Sequence, residues 1–397
     1  MLKNKKLLAA FFFLLSVLVA CARPPLVVTK PEEALAPIPM QRSMLSDDLD
    51  FRGIVDAARR SLEYYEKISP DTGFILGPDR VIALDMIITL RNFLLIIENS
   101  TLTRDQKLDR IAQDFRLYRA AGAGSGKVLF TGYYEPMLSC RVAADETHRF
   151  PLYRKPDDII EIDLTLFGEG FPKNKIFGRL DNKKVVPYYT REEINQKRTL
   201  ANKDLEILWC SDIVDIYVLQ VQGSGKVDLG NGNILSVLYD GSNGRPYKSI
   251  GKYLLDTGAM TRENMSMQAI RAYLLAHPDQ LTDVLNQNQS YVFFRLDTGP
   301  SIGNIGVALT PDRSIATDSK LFPRGALGLI SAQKPVIENN AIKAWIPFTR
   351  FVLNQDTGGA IKGSGRVDLF CGQGVDAELT AGNLKHEGEL FFLVRKK

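Results

Sequence analysis

The sequence predicts an α+β protein that is mostly β, and three observations predict it. Between Asp47 and about Ala121 apolar residues recur at helical intervals. Beyond Val128 they come instead in short runs punctuated by Gly, Asn and Asp, the pattern of strands and tight turns. A chain of 397 residues also has length for one large core or two modest ones, which favours two domains.

The first twenty residues stand outside that fold. Lys3, Lys5 and Lys6 precede an apolar run from Leu7 to Ala20 broken only by Ser16. This is the form of a secretory leader, and the run is shorter than the roughly 20 residues a spanning helix needs. Leu18, Val19 and Ala20 before Cys21 resemble the box read by lipoprotein signal peptidase, so Cys21 is the expected lipidation site. The alternative is an ordinary secreted protein whose leader holds a cysteine. Ala22, rather than Asp, follows the cysteine, which in Gram-negative lipoproteins of this kind favours the outer membrane.

Residues 22 to about 45 carry Pro24, Pro25, Pro31, Pro37 and Pro39 and read as a tether. In the helical stretch Val81, Ile82, Met86, Leu90 and Leu94 share one face. Leu108, Ile111 and Phe115 repeat it after a capping box from Thr103 to Gln106. Two helical islands interrupt the β region. One starts at Thr190, with Glu193 in capping register; the other carries Met267, Ile270 and Leu274 and stops at Pro278. Strands return at Tyr291 to Leu296, Phe351 to Asp356, Arg366 to Phe370 and Leu390 to Val394.

Composition excludes several classes of function. The chain is +4 and its leader holds three lysines and no acid, leaving the remainder near +1 with no patch that attracts nucleic acid. Cys140, Cys210 and Cys371 show no CxxC spacing, and His148, His277 and His386 no ligand spacing. No metal site, histidine triad or cofactor is indicated. The cysteines read as small buried residues, of which at most one pair could bridge. Two glycine motifs, Gly124-Ser125-Gly126-Lys127 and Gly223-Ser224-Gly225-Lys226, invite a nucleotide reading. Both fail as P-loops: Ala121 and Gln220 stand where the first glycine belongs, and valine follows each lysine. They read as turns.

Two stretches carry candidate chemistry. Thr131-Gly132-Tyr133-Tyr134-Glu135-Pro136 offers two tyrosines whose apolar rings and polar tips suit sugar faces, or which flank a strand with one ring inside the core. Near the end, Asp356 and Asp368 lie on short strands joined by a turn containing Gly358, Gly359, Lys362 and Gly363, with Asp318 as a possible third carboxylate. Clustered or buried carboxylates hold protons near neutral pH, so one of them can serve as a general acid. Spacing alone equally allows Asp356 to cap the turn and Asp368 to be a solvated strand residue.

These stretches, taken with Val221-Gln222-Gly223-Ser224-Gly225, Tyr247 to Lys252, Met265 to Arg271 and Tyr291 to Phe294, resemble the membrane-bound lytic murein transglycosylase A family in order over roughly residues 128 to 395. The resemblance implies a double-psi β-barrel interrupted by a second β domain, with a glycan strand of peptidoglycan in the groove between them. It divides the chain into a signal peptide (1–20), a tether (21–45), a helical segment with the first part of the barrel (46–135), an inserted β domain (136–290) and a three-aspartate C-terminal part (291–397). It makes Asp368 the catalytic residue, Asp356 and Asp318 its neighbours, and Thr131, Gly132, Tyr133, Tyr134, Gln222, Gly223, Ser224, Gly358, Gly359 and Lys362 the groove lining. The implied protein is a monomer, lipid-anchored at the outer membrane and facing the periplasm, which cleaves muramoyl bonds to leave 1,6-anhydro ends without metal or nucleotide. Other readings are a non-catalytic peptidoglycan-binding lipoprotein and a glycoside hydrolase on the same barrel.

Overall fold

A computed structural model describes residues 28–396 except 125, 173–174, 231 and 263–264; the leader and Cys21 lie outside the described residues. Six strands close into a barrel: β1 (Val128–Glu135), β2 (Ser314–Ala316), β3 (Leu327–Glu338), β4 (Ala341–Asp356), β5 (Arg366–Gln373) and β6 (Lys385–Arg395). Their order is β1-β5-β2-β4-β3-β6, and β6 returns to β1. The β1–β5 and β2–β4 pairs are parallel and the others antiparallel. Closure removes the unpaired edges that an open sheet must protect. Phe130, Ile315, Val367 and Leu390 share one face of the barrel wall and Leu329, Phe351 and Leu353 the other, where Phe351 meets Phe93 of a covering helix; all are buried.

Helices Ile54–Glu66 and Ala83–Glu98 cover the barrel. Met86, Leu90 and Leu94 are buried along one helix face, as their spacing predicts. The Thr103 capping box also forms, with Gln106 N–H donating to Thr103 Oγ1 and Thr103 N–H to Gln106 Oε1. Three expectations change at the margins of this region. Val81 and Ile82 belong to a strand, Asp79–Ile82, paired with Gly73–Leu76 around the Gly77-Pro78 turn. Phe115 opens a strand, Phe115–Ala120, that pairs with β6. Part of the expected tether is ordered: Pro31–Ala34 forms a helical turn and Leu35–Ile38 adds a strand beside Phe115–Ala120. Burial of Ala34 and Leu35 holds that strand, and Pro37 is tolerated because the strand lies at the sheet edge.

A buried ion pair fastens this helical region to the barrel. Asp47 Oδ2 accepts from Arg313 Nη1 at 2.6 Å and Oδ1 from Nη2 at 2.9 Å. The same carboxylate accepts the backbone N–H groups of Leu49, Phe51 and Phe351.

Between β1 and β2 the chain builds a second, six-stranded sheet from residues 137–297. Val292–Asp297, read from sequence as the start of the C-terminal part, pairs with Ile234–Ser242 in this sheet, so the return to the barrel comes after Asp297. Cys140 and Cys210, opposite one another on adjacent antiparallel strands, form a disulfide, and Cys371 is free. Both expected helical islands form, as Arg191–Asn195 and Met267–Ala276. Pro278 stops the second by starting a new helix, Pro278–Asn286.

Helices Ile213–Gln222, Ile250–Asp256 and Val375–Asn383 also stand in the region read as mostly strand. Ile213–Gln222 is buried nearly all round, and a short apolar run of this kind carries no periodicity to separate helix from strand. Its residues Val214, Tyr217 and Val218 pack with Tyr134 of β1 and Ala377 of the last helix, joining insert to barrel.

Candidate active site

The register of the barrel places three of the expected site residues in one row. Asp356 of β4 is opposite Ala316 of β2, Ala316 is opposite Asp368 of β5, and Asp368 is opposite Thr131 of β1. Neighbouring strands lie about 4.8 Å apart and residues directly opposite share a face, so both aspartates project to one side across the small Ala316. A β-bulge sets this row. The pairing skips Gln355, which turns inward to bond Ser314, Ser61 and the carbonyl of Ala57. Without the extra residue, the alternation of side chains would aim Asp356 at the opposite face.

Asp368 is the chemically distinctive member. Its side chain is 17% exposed, so it is desolvated yet reachable along one edge. Burial pushes its carboxyl up to about 7; Arg366, whose Nε lies 3.8 Å from Oδ1, pulls it down, and Asp356 pushes it up again. The Thr131 hydroxyl donates to Oδ1. Thr131→Val deletes a donor that favours the ionised form, so the alkaline limb of a pH–activity profile is expected to move to higher pH. An unmoved limb would mean that this hydroxyl does not act on the acid.

The remaining expected residues divide into groups that touch the row and groups that shape it. Asp356 Oδ2 accepts from the Tyr133 hydroxyl at 2.8 Å, and Oδ1 accepts from the N–H groups of Asn304 and Thr357. Burial raises its carboxyl above the ordinary range, and these three donors act against the rise. Burial, then Asp356, holds the Tyr133 hydroxyl well above its ordinary value, and its ring lies 5.2 Å from that of Phe370. Asp318 bonds the glycine turn: Oδ2 accepts the Gly363 N–H at 2.8 Å. Ile361 is buried beneath that turn, while Gly359 and Lys362 are exposed on it; a Cβ at Gly358 would press on Ile361 at 2.9 Å.

Gly132 is required by packing, because a Cβ there would meet Ala381 at 2.8 Å and Cys371 at 3.1 Å. Tyr134 is buried in the junction with the insert, and its N–H donates to Gln222 Oε1. The stretch from Gly223, read as a turn, is a helix end: Gly223 at φ 85° caps Ile213–Gln222, and Ser224 opens the next strand. Gln222 therefore ties the insert to β1 three residues from Thr131.

One residue absent from the expectation also faces the row. Arg366 shares a face with Asp368 by the two-residue period of β5, a signal available in the sequence. In the insert, burial pushes the Tyr247 hydroxyl up, and Ser249, Arg366 and Arg191 act against this.

Comparison with known proteins identifies the family and the fold. The MltA specific insert domain matches residues 129–295, and the 3D domain matches residues 313–394. The chain is 33% identical over 275 residues to the membrane-bound lytic murein transglycosylase A of Vibrio cholerae, covering 68% of this chain and 67% of that one. The chain belongs to the membrane-bound lytic murein transglycosylase A family. The Escherichia coli K12 member is also 33% identical, over 271 residues covering 68% of this chain and 66% of the relative. Among solved structures, the family member from Agrobacterium tumefaciens superposes with a TM-score of 0.74 at 26% identity, covering 91% of this chain and 98% of its own. The one from Neisseria gonorrhoeae gives 0.67 at 25% identity, covering 94% of each. The barrel with its inserted sheet is thus the fold of the lytic murein transglycosylase A family.

Proposed function

We propose that this protein is a lytic transglycosylase that cleaves the β-1,4 bond between N-acetylmuramic acid and N-acetylglucosamine in peptidoglycan, leaving a 1,6-anhydromuramoyl end. The observation that carries the mechanism is the single protonatable carboxyl of Asp368, desolvated but open along one edge. Neutral Asp368 donates its proton to the bridging oxygen as the C1–O bond breaks. The resulting carboxylate then takes the proton of the muramoyl C6 hydroxyl as that oxygen closes onto C1, which restores the acid and consumes no water. A hydrolase needs a second carboxylate to attack or to activate water. Here the nucleophile is already on the substrate, so proximity replaces that second group.

Asp356 fits a supporting role. Its three donors hold it in place, and its nearness helps keep the proton on Asp368. Thr131 lies on the row and Tyr133 reaches it through its hydroxyl, while we read the Gly358, Gly359 and Lys362 turn and the Gln222–Ser224 segment as the groove lining contributed by the two domains. The glycan is placed in the trough between them. The barrel portion is taken as 46–135 with the chain after 297, and the insert as the segment between. The Cys140–Cys210 disulfide suits an oxidising compartment, which supports the leader's implication of a periplasmic protein anchored to the outer membrane through Cys21.

Mass spectrometry of sacculi digested by the full chain tests this reading. Anhydromuramoyl ends are expected; reducing muramic ends would establish a hydrolase, and an absence of released fragments would leave a binding protein.

A further inference from the structure

The Arg366 side chain makes no hydrogen bond to any described residue, although it lies beside the proposed acid. Its Nε is buried without a partner, and its one ion-pair contact, to Asp368 Oδ1, is 3.8 Å long and beyond hydrogen-bonding range. The side chain is 37% exposed, so part of the guanidinium reaches the trough. The Nε atoms of Arg116, Arg119 and Arg179 are also buried without a partner, but each of those groups meets a carboxylate through an Nη, at Asp79, Glu389 and Asp181, while the fully buried Arg313 bonds Asp47 and two carbonyls. A partly desolvated, unsatisfied guanidinium is costly unless something supplies acceptors. Its planar fork matches a carboxylate best.

Resting on the transglycosylase reading, we propose that Arg366 is the binding residue for the lactyl carboxyl group of the muramoyl unit whose bond is cleaved. On a peptide-free strand the hydroxyls and N-acetyl groups are neutral and only the lactyl ether at C3 ends in a free carboxyl group; where a stem peptide is attached, that group is a neutral amide. C3 is two ring atoms from C1, where the bond breaks. Arg366 and Asp368 are two residues apart on β5, about 6.6 Å along the strand and on the same face. One strand can therefore hold the lactyl group at one position and protonate the glycosidic oxygen at the other. The site favours peptide-free muramoyl units at the bond to be broken, because an N-acetylglucosamine or a peptide-amidated lactyl group there leaves the guanidinium without a carboxylate.

The test uses the full chain with three ligands: peptide-free glycan strands bearing lactyl carboxylates, the same strands with those carboxyls chemically reduced to alcohols, and a chitooligosaccharide. Wild type is expected to show KM about tenfold higher or more for the reduced strands, the loss of a charge-assisted bond. Arg366→Gln should impose a similar penalty on the unreduced strands, leave chitooligosaccharide affinity within about twofold, and erase the difference between the two strand types. Arg366→Lys should restore part of it. Equal KM for reduced and unreduced strands with wild type overturns the proposal without needing a folded variant, as does an Arg366→Gln loss of the same size on the chitooligosaccharide, which would assign the arginine to N-acetyl recognition. Anhydro product from wild type in the same assay separates these outcomes from failure of the transglycosylase reading itself.

Discussion

Asp368→Asn is expected to abolish turnover while leaving the glycan bound. The amide keeps the size of the side chain but cannot pass a proton to the bridging oxygen and take one back, so a loss of about a thousandfold or more follows. Calorimetric affinity for glycan strands should stay within about threefold of wild type. Release of anhydromuropeptides at the wild-type rate would remove Asp368 from the mechanism.

The same substitution should stabilise the protein at neutral and alkaline pH. Burial raises the folded-state carboxyl from its ordinary 3.8 to about 7. Between those values the folded protein binds more protons than the unfolded chain, so stability falls as pH rises through that window. Asparagine removes the penalty, which at full ionisation reaches at most about 4 kcal/mol. Wild type and Asp368→Asn should therefore melt alike near pH 4, diverge as pH rises from about 4 to 7, and keep a constant gap above that, with the variant the more stable. Parallel melting curves across that range would show that the acid is not held neutral by the fold. Wild-type activity should fall as pH rises through about 7, since the deprotonated form cannot donate.

Asp47→Ala is expected to produce the largest loss of stability, about 3–5 kcal/mol, read from urea unfolding. Neither side chain of the Asp47–Arg313 pair has any solvent exposure, so the alanine strands a guanidinium charge inside the protein. It also orphans the N–H groups of Leu49, Phe51 and Phe351. Pairing Asp47→Leu with Arg313→Met removes both charges, and the double variant should be more stable than Asp47→Ala. A single-variant loss below about 1 kcal/mol would mean that water or another acceptor reaches Arg313.

Much of the site was legible before any fold was known, because its chemistry is local. The Asp356 and Asp368 pair around a glycine turn, the Thr131–Tyr134 stretch and the capped helices depend on residues a few positions apart, and local hydrogen bonding and side-chain periodicity act over that range. The two-residue step from Arg366 to Asp368 was equally visible but lacked meaning until the guanidinium proved unsatisfied. Helix Ile213–Gln222 and the strand at Leu35–Ile38 were misread, since in both the deciding term is burial by distant segments.

By itself the sequence determined the change from helical to strand pattern after Ala121 and which carboxylates were available. Only the tertiary structure decided which carboxylate keeps a proton. The bulge at Gln355 and the closure of β5 between β2 and β1 bring Asp356, Asp368 and Thr131 into one row. The removal of water around Asp368 is then a property of the enclosing barrel. Desolvation depends on everything packed around a group, and no spacing along the chain encodes that.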